Sequence, residues 1–254
     1  MPIAAIIPAY NEAPRLARVL AAVTAAPSVE EVIVVSDGST DETCAVAAAW
    51  PNVTLVPLPT NTGKSGALAA GVDCTGAEVL LFLDADLLGL TPQHVERLLQ
   101  PVLSGAADMT VGRFHPSGWV VDGMTELVPP VSGRWARCGA WVTGIPLRML
   151  RVATHWWHYL GPHLSGQRAL RRELFTRIPQ VDTLRFGIEA ALTQQAQRSG
   201  ARVQIVELRG VTHALKPEKF GWWHALGAAV KECAEVVATP SDAQGQRLRS
   251  KRPG

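Results

Sequence analysis

The sequence has few cysteines and no long apolar run. Its four cysteines (Cys44, Cys74, Cys138 and Cys233) show no C-x-x-C spacing. We therefore expect buried thiols in a reducing compartment rather than a zinc site or a disulfide framework. No stretch approaches the roughly 18 apolar residues of a membrane-spanning helix, and the first apolar run stops at Pro8, too early for a signal peptide. These absences predict a cytoplasmic protein without a transmembrane segment.

The chain also lacks a strong charge of either sign. A net charge of +2 over 254 residues gives no overall attraction to nucleic acid, so we expect no nucleic-acid partner. The hydrophobic content of 47% is ample for the core of one α/β domain. Only the end of the sequence turns polar and basic. We predict a single domain over residues 1–238 and a flexible basic tail over residues 239–254.

Short apolar strands alternate with helices through the first half of the sequence. The predicted strands cover residues 2–8, 31–36, 53–57, 78–83 and 108–112. The predicted helices are one over 11–26 capped by Asn11, one capped by Ser39 or Thr40 that ends before Pro51, one over 62–72 and one over 91–103. Continuous apolar strands between helices indicate a parallel sheet that is covered on both faces. The predicted fold class is therefore α/β.

The second half is less regular. Its predicted elements are helices over residues 134–142, 147–159 and 186–200, a strand over 203–208, and a helix that follows a loop within 216–237. The tryptophans of this half are expected to pack in the core more often than to face a ligand. The Arg171-Arg172 pair is interpreted as solvated surface.

Two carboxylates follow the apolar run Val79–Phe82. Asp84 and Asp86 are two residues apart where a buried strand reaches the surface. This arrangement suits a hard divalent cation, which prefers oxygen ligands and shares them with phosphate. A loop with two solvated acids is the alternative, because so short a motif also occurs by chance.

Polar residues also follow the first three predicted strands. They form the segments Tyr10-Asn11-Glu12, Asp37-Gly38-Ser39 and Asn61-Thr62-Gly63-Lys64. Ligands of open parallel sheets bind beyond the carboxyl ends of the strands, so these segments and the acidic pair predict one site. Lys64 stands at a helix start, where it opposes the helix dipole. That position favours an anionic partner such as a phosphate.

Four segments of the first half, IIPAYNE, VVSDGSTDET, NTGKSGAL and FLDADL, resemble in order and spacing the signature of family 2 glycosyltransferases with the GT-A fold. The resemblance implies a nucleotide-sugar donor, with a UDP-sugar favoured, and Mg²⁺ or Mn²⁺. It implies that residues 1–113 bind the donor and residues 114–238 the acceptor. Asp37 would face the uracil edge, Lys64 would approach the donor phosphates and Asp86 would ligate the metal. The implied donor-binding residues are Pro8, Ala9, Tyr10, Glu12, Asp37, Gly63, Lys64, Asp84 and Ala85.

Four segments of the second half, GMTEL, LSGQ, FGIE and VTHALK, resemble the glucosyl-3-phosphoglycerate synthases and their mannosyl relatives. The resemblance implies that His213 is a further metal ligand and that Thr125 and Glu189 lie in the acceptor site. Ser165, Gly166 and Gln167 would flank the donor sugar. From the residues alone, His213 could instead cap or line the core, and Glu189 could be a solvated acid in a first helical turn.

One departure concerns the acceptor. Gly123 stands where those synthases have an arginine that helps to bind the acceptor phosphate. The phosphoglycerate acceptor is therefore not implied with the rest of the pattern.

The predicted activity is metal-dependent transfer of a hexose to a small acceptor, which can carry a phosphate or a carboxylate. Lys64, Asp86 and Glu189 are the catalytic candidates, and the resemblance favours retention of the anomeric configuration. The alternatives are transfer to a polyprenyl phosphate at a membrane surface and a nucleotide-sugar-binding module without transfer. A nucleotidylyltransferase or a nicotinamide-dependent dehydrogenase would need a Gly-rich start that is absent here. Donor and acceptor are small molecules, and a homodimer is left open.

Overall fold

The structure, a computed structural model, describes residues 1–114, 165–179, 181–184 and 187–213. Several predictions fall outside these residues: Thr125, the helices over 134–142, 147–159 and 216–237, and the basic tail over 239–254. The division into a domain over 1–238 and a tail stays a prediction.

The strands of the described residues are short, and β1, β2 and β4 are almost entirely buried. They are β1 (Ile3–Ala9), β2 (Glu31–Asp37), β3 (Val53–Leu58), β4 (Val79–Phe82), β5 (Leu87–Leu88), β6 (Met109–Phe114), β7 (Arg168–Arg171), β8 (Val203–Leu208) and β9 (Thr212–His213). In the described part of the chain, seven of them form one sheet in the order β3-β2-β1-β4-β7-β6-β8, and β5 pairs with β9 in a separate two-stranded sheet.

Helices connect most of these strands. They are α1 (Ala13–Thr24), α2 (Thr43–Ala48), α3 (Lys64–Asp73), α4 (Pro92–Leu103), α5 (Arg172–Thr176) and α6 (Ile188–Ser199), with a short 3₁₀ helix at Val181–Leu184. None of the helices in the described residues has the length and apolar character that a bilayer crossing requires.

The large sheet is mostly parallel and is covered on both faces. Strand β1 pairs in parallel with β2 and β4, and β6 with β8, whereas β7 runs antiparallel between β4 and β6. Alternate residues of β1 enter two separate cores: Ile7 belongs to the core with Leu16 and Leu98, and Ile6 to the core with Leu68. The predicted α/β class with helices flanking a mostly parallel sheet is confirmed.

Two predicted helix starts are wrong, and the residues involved have another role. Asn11 has a φ of 55°, a left-handed conformation that cannot begin a helix, and α1 begins at Ala13. Its Oδ1 atom accepts a hydrogen bond from the backbone N–H of Thr40 at 2.8 Å. Ser39 accepts one from the backbone N–H of Asn11 at 3.2 Å, and α2 begins only at Thr43. The predicted caps therefore tie the loop after β1 to the loop after β2.

Strand β7 and helix α5 were not predicted, because the run RALRRE resembles a charged surface more than a central strand. Leu170 pairs with Leu80 in the middle of the sheet and is fully buried. The expectation that Arg172 is solvated is wrong. Its guanidinium donates to the carbonyls of Val72 and Thr75 at 3.0 and 2.8 Å, at the C-terminal end of α3 and just beyond it.

Candidate active site

The carboxyl ends of β1, β2, β3 and β4 lie side by side, as the parallel pairing requires. In the first of the loops that follow them, Ala9 and Glu12 are buried whereas Tyr10 is exposed. A large exposed aromatic ring beside buried polar groups offers a stacking face to a planar base. Pro8, Ala9, Tyr10 and Glu12 are therefore together, as the sequence predicts, and their role in nucleoside binding stays a prediction.

Asp37 shapes the loop that leads into α3. Its Oδ1 atom accepts hydrogen bonds from the backbone N–H and the hydroxyl of Thr62 at 2.7 and 2.9 Å. Its Oδ2 atom accepts one from the backbone N–H of Gly63 at 2.9 Å, and the residue is buried. Asp37 thus fixes the approach to Lys64, a role that the sequence did not predict. Its predicted contact with a uracil edge stays a prediction.

Asp84, Asp86 and His213 form the cluster that the sequence predicts as a metal site. The short pair β5–β9 places His213 opposite Leu87, and so beside the acids that follow β4. The Nδ1 atom of His213 lies 3.1 Å from Oδ1 of Asp86, and Nε2 lies 3.9 Å from Oδ2 of Asp84. One ligand atom from each residue lies within 4.8 Å of the others. Phe114 packs edge-on against the imidazole, with ring centroids 4.7 Å apart.

Lys64 joins this cluster to Glu189. Its Nζ atom lies 2.6 Å from Oδ1 of Asp84 and 2.7 Å from Oε1 of Glu189. Burial would lower the pKa of Lys64, but the attraction of both carboxylates outweighs burial and raises that pKa. Burial would likewise raise the pKa of Asp84, but Lys64 and then His213 hold it below its ordinary value. Glu189 is therefore not the solvated acid of the alternative interpretation, because its side chain is 12% exposed and ion-paired.

The turn Ser165-Gly166-Gln167 lies against Lys64 and Asp84. Gln167 donates from Nε2 to Oδ2 of Asp84 at 2.7 Å, and its Oε1 accepts from the Ser165 hydroxyl at 2.8 Å. A Cβ atom on Gly166 would lie 2.3 Å from the Nζ atom of Lys64, so a glycine is needed there unless the lysine moves. The structure therefore brings Gly166, Gln167 and Glu189 of the second half to Lys64 and Asp84 of the first half. Thr125 lies outside the described residues.

A mostly parallel sheet with an Asp-x-Asp pair after a central strand, beside a lysine at a helix start, defines a GT-A glycosyltransferase architecture. The glycosyl transferase family 2 model matches residues 4–179, and the chain belongs to this family. The family and fold predicted from the four segments of the first half are confirmed.

Two curated relatives and one solved structure show what the chain is similar to. Glucosyl-3-phosphoglycerate synthase of Mycobacterium tuberculosis is 31% identical over 201 residues, which cover 75% of this chain and 59% of that protein. Polyprenol monophosphomannose synthase of Mycolicibacterium smegmatis is 30% identical over 249 residues, which cover 92% and 84% of the two chains. The M. tuberculosis synthase, solved in complex with Mn²⁺, UDP-glucose and phosphoglyceric acid, superposes with a TM-score of 0.61 at 23% identity and covers 94% and 81%.

These comparisons confirm the resemblance to glucosyl-3-phosphoglycerate synthases that the second-half segments indicated. The chain spans only 59% of the length of that curated relative. At 23% identity the superposition establishes the shared fold and no more.

Proposed function

We propose that the protein is a metal-dependent glycosyltransferase that moves a hexose from a UDP-sugar to a small acceptor carrying a phosphate or a carboxylate. The observation that carries this proposal is the cluster of Asp84, Asp86 and His213, whose ligand atoms lie within 4.8 Å of one another beside Lys64. The complex of a similar protein with Mn²⁺, UDP-glucose and phosphoglyceric acid supports the choice of metal, donor and acceptor class.

The residues of the cluster fit Mn²⁺ or Mg²⁺. Two carboxylates supply hard oxygen ligands, and a neutral imidazole suits Mn²⁺ as a further ligand. Asp86 and His213 would hold the ion, with Asp84 beside them. When bound, the metal neutralises charge on the diphosphate leaving group.

The chain's own residues supply the rest of the chemistry. Lys64 stays protonated because Asp84 and Glu189 raise its pKa, so it adds a fixed positive charge where the leaving diphosphate becomes more negative. Gln167 donates a hydrogen bond to Asp84, and Glu189 pairs with Lys64, so both present polar groups beside the lysine. We assign them to the hydroxyl groups of the donor sugar and the acceptor. Only a reaction with inversion would require Glu189 as the carboxylate that takes the acceptor proton. We expect retention of the anomeric configuration.

An acceptor screen tests the proposal. The protein is incubated with UDP-glucose or GDP-mannose and Mn²⁺, with 3-phosphoglycerate, with a polyprenyl phosphate in detergent, or with no acceptor, and nucleotide release is measured. We expect release of UDP that is stimulated by the phosphorylated small acceptor. Tight binding of UDP without release from any donor would instead identify a nucleotide-sugar-binding module.

The polyprenyl phosphate arm tests a second candidate function. It is favoured by the similarity to polyprenol monophosphomannose synthase, because the chain covers 84% of that protein. Release of nucleotide only with the polyprenyl phosphate would establish this second function and overturn the small-acceptor proposal.

Gly89 is expected to be necessary for the metal site although it contacts no ligand. Its φ is 73°, and a Cβ atom would lie 2.2 Å from the carbonyl oxygen of Gly210. Gly89→Ala should therefore push β9 away and displace His213 from Asp86. We expect Mn²⁺ affinity to fall about 10-fold or more, the range seen when support of metal ligands is lost.

A matched glycine separates this displacement from simple backbone strain. Gly105 has a φ of 71°, and a Cβ atom there would meet nothing within 4 Å. Gly105→Ala should cost stability but leave calorimetric Mn²⁺ affinity unchanged. Equal Mn²⁺ affinities in the two variants would contradict the proposed role of Gly89.

The pH dependence of Mn²⁺ binding should run opposite to that of metal-free stability. Burial would lower the pKa of His213, but the hydrogen bond to Asp86 and the charge of Asp84 raise it above its ordinary value of 6.5. Because Mn²⁺ must displace this proton, affinity should fall as the pH drops through the raised pKa. Without metal, protonated His213 stabilises the fold at low pH, and that contribution is lost as the pH rises through the same pKa.

Calorimetry with Mn²⁺ and thermal unfolding in EDTA, both between about pH 6 and pH 8.5, measure the two trends around the range where histidine titrates. His213→Ala should weaken Mn²⁺ binding and flatten both curves. A variant with unchanged Mn²⁺ affinity and only a lower melting temperature would show that His213 is a structural residue.

A further inference from the structure

Arg168 is a charged residue in the middle of the sheet. A charged residue is not expected there, because burying a charge is costly, yet its exposure is 0%. Burial lowers its pKa to about 10, with Glu189 opposing the shift, so the guanidinium remains charged at neutral pH. An apolar side chain would suit the buried face of β7 better if packing alone decided the residue.

The guanidinium connects two segments that belong to the site. Its Nε atom donates to the carbonyl oxygen of Ser165 at 2.9 Å. Its Nη1 atom donates to the hydroxyl of Thr193 at 3.0 Å, and that hydroxyl donates to the carbonyl oxygen of Glu189 at 2.9 Å. Arg168 therefore holds the turn that begins at Ser165 and the first turns of α6 at a fixed separation.

The same two segments meet again at Lys64. Gln167, from the turn, donates to Asp84, and Asp84 pairs with Lys64. Glu189, from α6, pairs with Lys64 on the other side. The contacts close a ring, so a change in the separation set by Arg168 must move Gln167 or Glu189 relative to Lys64.

We propose that Arg168 is a positioning residue for glycosyl transfer, which sets the placement of Gln167 and Glu189 around Lys64 through its bonds to Ser165 and Thr193. This inference rests on the proposed function for its catalytic consequence. Asp84 and Lys64 are held by β4, by α3 and by each other. Loss of Arg168 should therefore spare the binding of UDP with Mn²⁺ and impair the step that needs Gln167 and Glu189 aligned.

The test compares Arg168→Met and Arg168→Lys with Arg172→Met. Arg172 is a matched control, because its guanidinium also donates two hydrogen bonds, but to backbone carbonyls at the C-terminal end of α3. We expect Arg168→Met to lower kcat about 100-fold, the effect of a misplacement of about 1 Å, and to change the Kd of UDP with Mn²⁺ less than about 3-fold. Arg168→Lys keeps the positive charge but lacks the planar guanidinium that donates to both Ser165 and Thr193. Compared with Arg168→Met, its stability should therefore recover more than its kcat. Arg172→Met should lower the melting temperature without lowering kcat.

Hydrogen exchange separates this inference from the proposed function. Peptides covering residues 165–167 and 188–193 should exchange faster in Arg168→Met than in Arg172→Met, whether or not the protein transfers a sugar. Equal exchange in the two variants overturns the inference, and so does equal kcat when the wild-type protein transfers a sugar. Wild-type protein that neither binds UDP with Mn²⁺ nor releases nucleotide overturns the proposed function alone. If Arg168→Met does not fold, Thr193→Val removes the hydroxyl that bridges Arg168 and Glu189, and it should show the same exchange change over residues 188–193 and the same change in kcat.

Discussion

Asp86→Ala should abolish detectable transfer and remove the part of UDP affinity that depends on Mn²⁺. Asp86 is one of the two residues assigned to hold the ion, and its carboxylate lies 3.1 Å from His213. Without it, the charge on the diphosphate loses its partner. Because Lewis-acid stabilisation is worth several kcal/mol, we expect turnover to fall about 100-fold or more.

Calorimetry of UDP with and without Mn²⁺ measures the loss. Asp84→Ala is the informative comparison, because Asp84 also binds Lys64 and Gln167 and should weaken UDP binding even without metal. Asp73→Ala, which removes an exposed acid at the end of α3, should change neither measurement. UDP binding that keeps its full Mn²⁺ dependence in Asp86→Ala would refute the metal assignment.

The first half of the site was predictable because local pattern and strand direction determine it. Each apolar run ends in polar residues, and parallel pairing brings those ends together. The prediction required no knowledge of side-chain contacts, and Asp84, Asp86 and Lys64 therefore lie together as expected.

The contacts of Asp37 were not predictable in the same way. All three donors that reach its carboxylate come from Thr62 and Gly63, on the loop after the next strand. A motif predicts that such a residue is polar and lies at the site, but it does not predict which residues will donate hydrogen bonds to its side chain.

The position of His213 depends on the pairing of β5 with β9, which the sequence pattern does not predict. Strands β5 and β9 contribute two residues each, too few for an alternation of apolar and polar residues. Asp86 and His213 are 127 positions apart. Only the family resemblance suggested that they meet. The close approach of Gly89 to the carbonyl oxygen of Gly210 is visible only in three dimensions.

Arg168 shows the limit of pattern reading most clearly. Three arginines within RALRR favour a surface interpretation, yet Arg168 is buried whereas Arg172 binds the end of a helix. A buried charge is tolerated where other polar groups surround it, and those groups come from α6 and from the turn at Ser165. Such surroundings are assembled only by the tertiary fold.

Lys64→Met should be among the most destabilising single changes as well as an inactivating one. The variant leaves Asp84 and Glu189, with side chains 19% and 12% exposed, without the ammonium group they share. Removing one partner of a buried ion pair costs about 3–5 kcal/mol. In the wild type Lys64 lowers the pKa of Asp84, so its stabilisation is present above the ordinary pKa of that carboxyl and is lost as the pH falls through the lowered one. The deficit of the variant should therefore shrink as the pH falls.

The double variant Lys64→Met/Glu189→Gln distinguishes charge compensation from packing. Replacing Glu189 by its neutral isostere removes one of the two uncompensated charges, so chemical denaturation should show part of the lost free energy of unfolding restored. Transfer should stay undetectable, because the cation beside the diphosphate is still missing. Glu189→Gln alone should be less destabilising than Lys64→Met, since Lys64 keeps Asp84. Stability of Lys64→Met equal to that of the wild type would show that the two ion pairs contribute nothing to the fold.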